Sequence, residues 1–373
     1  MELKVIDEPV PAPRLLAPRQ RMTDLASALR GLGYDLAACA RRLGVLPRLG
    51  VNFWPPLHEA WRARPDDAVD TLLTLLIDGR PVAAERVAAH LSPARVEALV
   101  EMGLAEARGG LLTARVCLFP CGGRYLATDR ADRNLAINQV MYLWSESYIL
   151  GGLVKRSPRR RAVDLGTGSG VHALLASDHA QRVVAVDVNP RALDFARFNA
   201  ALNGIENVEL VRSDLLTAVE GTFDLLVANP PYAPDAAARA GDNFWSGGLD
   251  GTDLLRRIVE ALPDRLDADG VCHLNALYPN PPGTRTRDHF DRWLGGALDG
   301  WEVLDHSWPV PHYTDLLSER PFTGDKSAWR FGVVSLRRAA GGRGRGWWRE
   351  VAGKGFFFRP DGSCALVADH DAA

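Results

Sequence analysis

The feature that most limits the possible folds is a regular alternation between residues 162 and 277. Short apolar runs suited to strands are separated there by stretches with helical spacing. Ala162-Val163-Asp164-Leu165 reads as the first strand and Val171 to Ala176 as the helix after it. Arg182 to Val186 is the second strand, with a helix from Pro190 to Leu202. Val208 to Val211 is the third and Phe223 to Ala228 the fourth. A helix from Leu254 to Leu262, with capping signals at Thr252-Asp253, precedes the fifth, Gly270 to Leu277. Trp301 to His306 and Arg330 to Leu336 supply two more. Strands joined through helices run parallel, so the chain is expected to build an α/β, doubly wound sheet.

In open sheets of this kind ligands bind at the carboxyl ends of the strands. Asn229-Pro230-Pro231-Tyr232 stands at such an end, directly after the fourth strand. Two prolines remove two backbone donors and fix two φ angles, so the strand stops and a rigid loop starts. A side-chain amide and a phenol are thereby held at the ligand-binding edge. Taken alone, the tetrapeptide reads equally well as a proline-rich turn with a capping Asn.

A second loop removes that ambiguity. Asp164-Leu165-Gly166-Thr167-Gly168-Ser169-Gly170 joins the first strand to its helix, and its glycines let the backbone approach a ligand closely. Asp187 closes the second strand 21 residues after Gly166, where a carboxylate meets ribose hydroxyls in nucleotide-binding folds. A dinucleotide needs its third glycine further on, with a helix N-terminus facing a pyrophosphate. Asp164 suits an ammonium better than a diphosphate. S-adenosylmethionine carries an ammonium and no phosphate, and Ser213-Asp214, after the third strand, can meet an adenine edge.

These motifs resemble the class I S-adenosylmethionine-dependent methyltransferases of the Asn-Pro-Pro-Tyr group, which includes protein-glutamine and ribosomal-RNA amino-group enzymes. The resemblance covers about residues 140–280. It rests on Asp164 to Gly170, on Val186-Asp187-Val188-Asn189-Pro190 and on Asn229 to Tyr232, with Gly247 to Arg257 resembling a segment of the glutamine-directed branch. The N-terminal module followed by this core also resembles actinobacterial methyltransferases. The family implies a Rossmann-like, seven-stranded sheet with its last strand antiparallel, and S-adenosyl-L-methionine as cofactor. Expected cofactor-binding residues are Asp164, Gly166, Thr167, Gly168, Gly170, Asp187, Val188, Ser213, Asp214 and Asn229. Expected catalytic residues are Asn229, Pro230 and Tyr232. Amide and arylamine nitrogens are poor nucleophiles, and acceptance of their N–H bonds by Asn229 and the Pro230 carbonyl would aim the lone pair at the methyl carbon.

Upstream, Pro9, Pro11, Pro13 and Pro18 mark an extended arm. Helices are expected from Thr23, from Leu36 to Leu43, from Val69 to Ile77, from Pro81 to Leu91 and from Ala94 to Met102. Ser92-Pro93 is the predicted N-cap and first position of the last of these. A hairpin turning at Gly109-Gly110 follows. Three short helices and a hairpin outline a winged helix, a module able to enter a DNA groove. Glu97 and Glu101 on the third helix favour packing instead. Residues 1–128 are expected to form this mainly helical domain, 129–340 the methyltransferase domain, and 341–373 a flexible Gly/Arg break and tail. The basic run Lys155 to Arg161 reads as a solvated linker.

The chain has 373 residues, 47% of them hydrophobic, and a formal net charge of −2. That balance excludes a surface tuned throughout to phosphate, so nucleic acid is not the favoured partner. Five cysteines at spacings that suit neither zinc nor redox pairs are expected to be ordinary thiols, and no metal is expected. The absence of a signal-peptide core or a long apolar run points to a cytoplasmic protein without a membrane partner. Tyr142, Trp144, Glu146, Tyr232 and Trp245 are expected to bind the acceptor. With Trp54, Trp61, Tyr148 and Phe244 they suggest a compact pocket for a small molecule. The alternatives are a protein glutamine or an RNA base, a cyclase releasing methylthioadenosine without an acceptor, and a winged-helix binder that senses S-adenosylmethionine.

Overall fold

The computed structural model describes residues 11–43, 67–130, 138–143, 145–232, 246–248, 251–280, 283, 286–309, 329–338, 347–350, 355–358 and 364–367. Helix α1 (Gln20–Gly31) buries Met22, Leu25, Ala26 and Leu29, the spacing of one helical face. It starts before the expected Thr23. Helix α2 (Leu36–Leu43) follows. Helix α3 (Ala68–Leu73) is capped by Asp67, whose side chain accepts from the Asp70 amide, and widens into a π-helical turn over Thr74–Asp78.

Strand β1 (Val82–Ala83), α4 (Ala84–Leu91), α5 (Pro93–Glu101), β2 (Ala105–Arg108) and β3 (Leu111–Ala114) come next, the sheet running β1-β3-β2. This is the order of a winged helix. The expected helix from Pro81 is shorter, because Val82 and Ala83 pair with Leu112 and Leu111. Ser92 is not the expected side-chain cap: it sits at φ +81 and makes no capping bond, while Pro93 does open α5. Gly109 and Gly110 both take positive φ, which the tight hairpin turn requires. The third helix is not free to enter a groove along the side facing α1. Arg21 pairs with Glu101 at 2.7 Å, and the Arg14 amide donates to the Met102 carbonyl at 2.8 Å.

A second hairpin, β4 (Cys117–Cys121) and β5 (Arg124–Thr128), follows β3, where no strand was expected. Every residue of β4 is buried, so the alternation that marks a strand is missing, and Pro120 lowers its strand propensity further.

The main sheet begins after helix α6 (Ser145–Leu153) with β6 (Arg159–Leu165). Helix α7 (Val171–Ala176), β7 (Ala180–Asp187), α8 (Pro190–Leu202), β8 (Val208–Arg212) and β9 (Phe223–Ala228) continue it. Helix α9 (Asp253–Arg265), β10 (Leu266–Pro279), α10 (Thr286–Trp293), β11 (Trp301–Pro309), β12 (Trp329–Arg338) and β13 (Trp347–Glu350) complete it. The strand order is β13-β11-β12-β10-β9-β6-β7-β8. Strands β6 to β10 pair in parallel, and β12, the seventh in the chain, lies antiparallel between β10 and β11. The expected seven-stranded arrangement is present, and β13 adds an eighth strand beside β11.

Two expectations need correction. Residues 347–350, 355–358 and 364–367 form strands, the last two as a hairpin of β14 (Gly355–Phe358) and β15 (Cys364–Val367), where a short tail was expected. The Gly341 to Gly346 segment lies outside the described residues. Three of the seven residues of the basic run are not linker: Arg159 to Arg161 open β6, and the Asp224 carboxylate accepts the Arg160 and Arg161 amides at 2.8 and 2.9 Å.

One sheet face packs Val163, Val184 and Leu226 against α9 through Ile258 and Leu262. On the other face Val183, Ala185 and Val227 share a core with Phe195 and Phe198 of α8, and that core runs on into Met22, Leu25 and Leu72. Asn199 of α8 also finishes the edge of β5: its Oδ1 accepts from the Ala127 amide at 2.8 Å and its Nδ2 donates to the Ala127 carbonyl at 2.9 Å. Among the described residues no helix is long and apolar enough to cross a membrane.

Candidate active site

The chain leaves the centre of the sheet at β6, moves outward to β7 and β8, and returns to β9 on the other side of β6. The resulting switch point opens a crevice at the carboxyl ends of β6 and β9. One cavity occupies it, lined from the Gly166 to Ser169 loop, the end of β7, the start of the loop after β8, Asn229 to Tyr232, and residues 139–143 with Glu146 and Ser147.

Asp164 is withdrawn from this cavity. It is 1% exposed and does not line the wall. Its Oδ2 accepts from Thr167 Oγ1 at 2.6 Å and from the Ala173 amide at 2.9 Å, tying the loop to the first turn of α7. Its Oδ1 has no hydrogen-bond partner among the described residues. Burial pushes this carboxyl up to about 7, against the two hydrogen bonds, with Asp187 adding to the rise. Gly166, Thr167 and Gly168 do face the cavity. Gly170 does not. A Cβ there would lie 3.0 Å from Leu174 Cδ1 and 3.1 Å from Ala196 Cβ, so the glycine lets α7 approach α8.

Asp187 closes β7 at the cavity. Oδ2 accepts from the Gly168 amide and Oδ1 from the Asn189 amide, each at 2.9 Å. Burial raises its pKa, while these backbone bonds lower it. Each oxygen keeps a second acceptor site, so the carboxylate can still receive two hydroxyls. Val188 beside it is 55% exposed, an uncovered apolar wall. Ser213 and Asp214 complete this end. Ser213 Oγ accepts from the Ala218 amide at 2.9 Å, and Arg257 of α9 donates to Asp214 Oδ2 at 2.7 Å.

At the other end, Asn229 Oδ1 accepts from Asn275 Nδ2 at 3.0 Å. The Tyr232 hydroxyl donates to Glu146 Oε1 at 3.4 Å, and its ring lies 5.3 Å from that of Phe331, tilted by 58°. Tyr142, Glu146, Asn229, Pro230 and Tyr232 line the cavity that also contains Asp187, so the two ends are continuous. Tyr148 is elsewhere: it is buried, does not line the cavity, and donates to the Pro120 carbonyl at 3.4 Å. Trp54, Trp61, Trp144, Phe244 and Trp245 lie outside the described residues.

Three residues were missed by sequence reasoning. Asn275 is 1% exposed on β10, a lone amide in an apolar strand, which was a signal available to the reader. Phe331 reaches Tyr232 from β12 and requires the strand register to be found. His172 lines the cavity, is 4% exposed, and has no hydrogen-bond partner on either ring nitrogen among the described residues. Burial pushes its pKa down to about 4, so the ring is neutral at neutral pH.

The profile of the methyltransferase small domain matches residues 146–270. A ribosomal protein uL3 glutamine methyltransferase of Bordetella pertussis is 37% identical over 164 residues, covering 39% of this chain and 53% of that protein. A release factor glutamine methyltransferase of Deinococcus radiodurans is 38% identical over 139 residues, covering 35% of this chain and 50% of that protein. One of the same description from Mycolicibacterium smegmatis is 37% identical over 140 residues, covering 34% and 50% respectively. The chain therefore spans about half the length of these curated relatives. The stretch similar to the methyltransferase small domain, residues 146–270, holds the glycine loop, Asp187 and Asn229 to Tyr232.

Proposed function

We propose that the chain transfers a methyl group from S-adenosylmethionine to the side-chain amide nitrogen of a protein glutamine. The observation that carries this reading is the placement of Asn229 and Pro230 in one cavity with Asp187 and Val188. An amide-orienting pair stands at one end and a nucleoside-binding pair at the other. Among the described residues that line the cavity there is no Lys or Arg, while Glu146, Asp187 and Asp214 do line it. Such a wall suits a cationic ligand without phosphate.

In this assignment Asp187 would accept the ribose hydroxyls and Val188 would cover the adenine, while Asp164 braces the glycine loop from behind. The cofactor supplies an electrophilic methyl on a sulfonium, which departs as a neutral thioether. The glutamine nitrogen must supply the electron pair, and its lone pair is delocalised into the carbonyl. Asn229 Oδ1 and the Pro230 carbonyl accept one N–H each and hold the nitrogen against that delocalisation. The Tyr232 ring, backed by Phe331, bounds the flat amide group. The extra proton leaves to solvent once the N–C bond has formed.

The protein acceptor replaces the small molecule suggested by the aromatic residues. Curated relatives are described as glutamine methyltransferases of a release factor and of ribosomal protein uL3. The test is incubation with methyl-labelled S-adenosylmethionine and purified bacterial release factor or uL3. The expected result is label on a glutamine, located by mass spectrometry, with S-adenosylhomocysteine as co-product. Methylthioadenosine formed without any acceptor would reject the reading in favour of the cyclase.

A further inference from the structure

Asn275 sits at the centre of β10, 1% exposed, among residues that otherwise pack as core. The parallel register pairs Leu274 with Ala228, which sets Asn275 alongside Asn229. Its Nδ2 lies 3.0 Å from Asn229 Oδ1 and 3.3 Å from the backbone carbonyl of Glu146 on α6. Its own Oδ1 is buried and has no hydrogen-bond partner among the described residues.

The chemistry of the two contacts fixes which way both amides face. A backbone carbonyl accepts and never donates, so the Asn275 atom facing Glu146 must be nitrogen. That nitrogen also faces Asn229, and its second N–H requires an acceptor there. The Asn229 atom in contact is therefore Oδ1. With the opposite orientation, Asn275 Oδ1 would confront the Glu146 carbonyl with no hydrogen between them. A buried carbonyl oxygen left without a partner is also disfavoured, and an apolar side chain on this strand would avoid it. Retaining an amide here is explained by what its nitrogen does.

We infer that Asn275 is a positioning residue which, anchored on the Glu146 carbonyl, holds Asn229 with Oδ1 as the acceptor toward the substrate nitrogen. One lone pair of Oδ1 takes the Asn275 N–H and the other remains for the acceptor amide. A free Asn229 would rotate or flip and offer an N–H to that amide in a fraction of encounters. The inference rests on the proposed methyl transfer to a glutamine, and its test separates the two.

The first arm needs no turnover. In protein labelled with 15N-asparagine and bound to S-adenosylhomocysteine, the two Asn275 side-chain protons are both hydrogen bonded. Asn229→Ala should shift one of them and leave the other, which still meets Glu146. If neither moves, the hydrogen bond to Asn229 is absent and the inference is overturned.

The second arm is a double-mutant cycle on methyl transfer to release factor or uL3. Asn275→Leu should lower kcat at least ~10-fold while S-adenosylhomocysteine affinity stays within ~2-fold. In the Asn229→Ala background the same substitution should change kcat less than ~2-fold, because Asn275 acts through Asn229. Equal losses in both backgrounds, or parallel losses of kcat and cofactor affinity, would mean a structural role and overturn the inference. Asn275→Asp should resemble Asn275→Leu in kcat, since a carboxylate cannot donate to Oδ1. Failure of the unsubstituted protein to methylate any acceptor removes the proposed function, and the role of Asn275 in it, while leaving the first arm to decide the hydrogen bond.

Discussion

The Arg191 guanidinium grips the Asp129 carboxylate with both terminal nitrogens, Nη2 meeting Oδ1 at 2.5 Å and Nη1 meeting Oδ2. Asp129 follows β5, and Arg191 lies in the first turn of α8, directly after the Asp187 to Asn189 corner. Asp129 Oδ2 also accepts from the Val140 amide at 2.7 Å, and Arg191 Nη1 donates to the Asn138 carbonyl at 3.2 Å. The pair thus ties the second hairpin to the segment that walls the cofactor end of the cavity. Asp129 is 1% exposed, so its removal leaves a largely buried cation without its counter-charge. Asp129→Ala should cost roughly 3 kcal/mol of stability. Cofactor affinity should also fall, because residues 139–143 lose an anchor. Denaturant unfolding and calorimetry check both, and unchanged cofactor affinity in the folded variant would separate the hairpin from the site.

Asp187→Ala should weaken S-adenosylmethionine binding ~10- to 100-fold, roughly 1.5–3 kcal/mol, through the loss of two charge-assisted hydrogen bonds. The Gly168 and Asn189 amides lose their acceptor as well. Calorimetry on the folded variant is the measurement, and wild-type affinity would discard Asp187 as the ribose ligand.

Asn229→Ala should behave differently. Cofactor affinity should change by less than ~1 kcal/mol, since the Asn229 amide is assigned to the acceptor nitrogen alone and not, as the sequence suggested, to the cofactor as well. Turnover should fall ~100-fold or more, because the acceptor nitrogen is no longer oriented. Tyr232→Phe keeps the ring against Phe331 and gives up one long hydrogen bond to Glu146, so it should cost far less turnover than Tyr232→Ala. Full turnover in Asn229→Ala would rule out the orienting mechanism.

The central parallel strands β6, β7, β9 and β10 were legible because each has a run buried on both faces and therefore reads as a short apolar stretch, whereas the edge strand β8 has no fully buried residue. Asn229 to Tyr232, Asp187 and the glycine loop were legible because they sit at fixed offsets from strand ends. The β4–β5 hairpin was not, since it has no alternation and contains Pro120. Strand β1 is two residues long and exists only through its pairing with Leu111 and Leu112. Asn275 stood out as a lone amide in its strand, but its contact with Asn229, like that of Phe331 with Tyr232, needed the register that sets β10 beside β9 and β12. Asp164 was placed near a ligand from its position before the loop. Its side chain instead turns inward, because Thr167 and the Ala173 amide offer it donors there.

That inward turn gives Asp164 a testable pH signature. Burial pushes its carboxyl up to about 7 in the folded protein, from an ordinary value of 3.8. Between these values the folded state holds a proton that the unfolded chain has released. Asp164 therefore lowers stability as pH rises from about 4 to about 7, and its full cost is present above that range. His172 works in the opposite sense: its pKa, lowered from 6.5 to about 4, removes stability as pH falls through that window. Comparison with Asp164→Asn isolates the carboxyl, because the asparagine does not ionise while His172 and Asp187 are common to both proteins. The melting temperature of Asp164→Asn relative to the parent should rise from pH 4 to pH 8, with most of the change complete by about 7. A cationic cofactor favours the ionised carboxylate, so binding to the parent near pH 6 should release protons. Calorimetry in buffers of different ionisation enthalpy detects that release, and Asp164→Asn should lose it. A difference in melting temperature that does not vary with pH would show that Asp164 is already ionised in the empty protein.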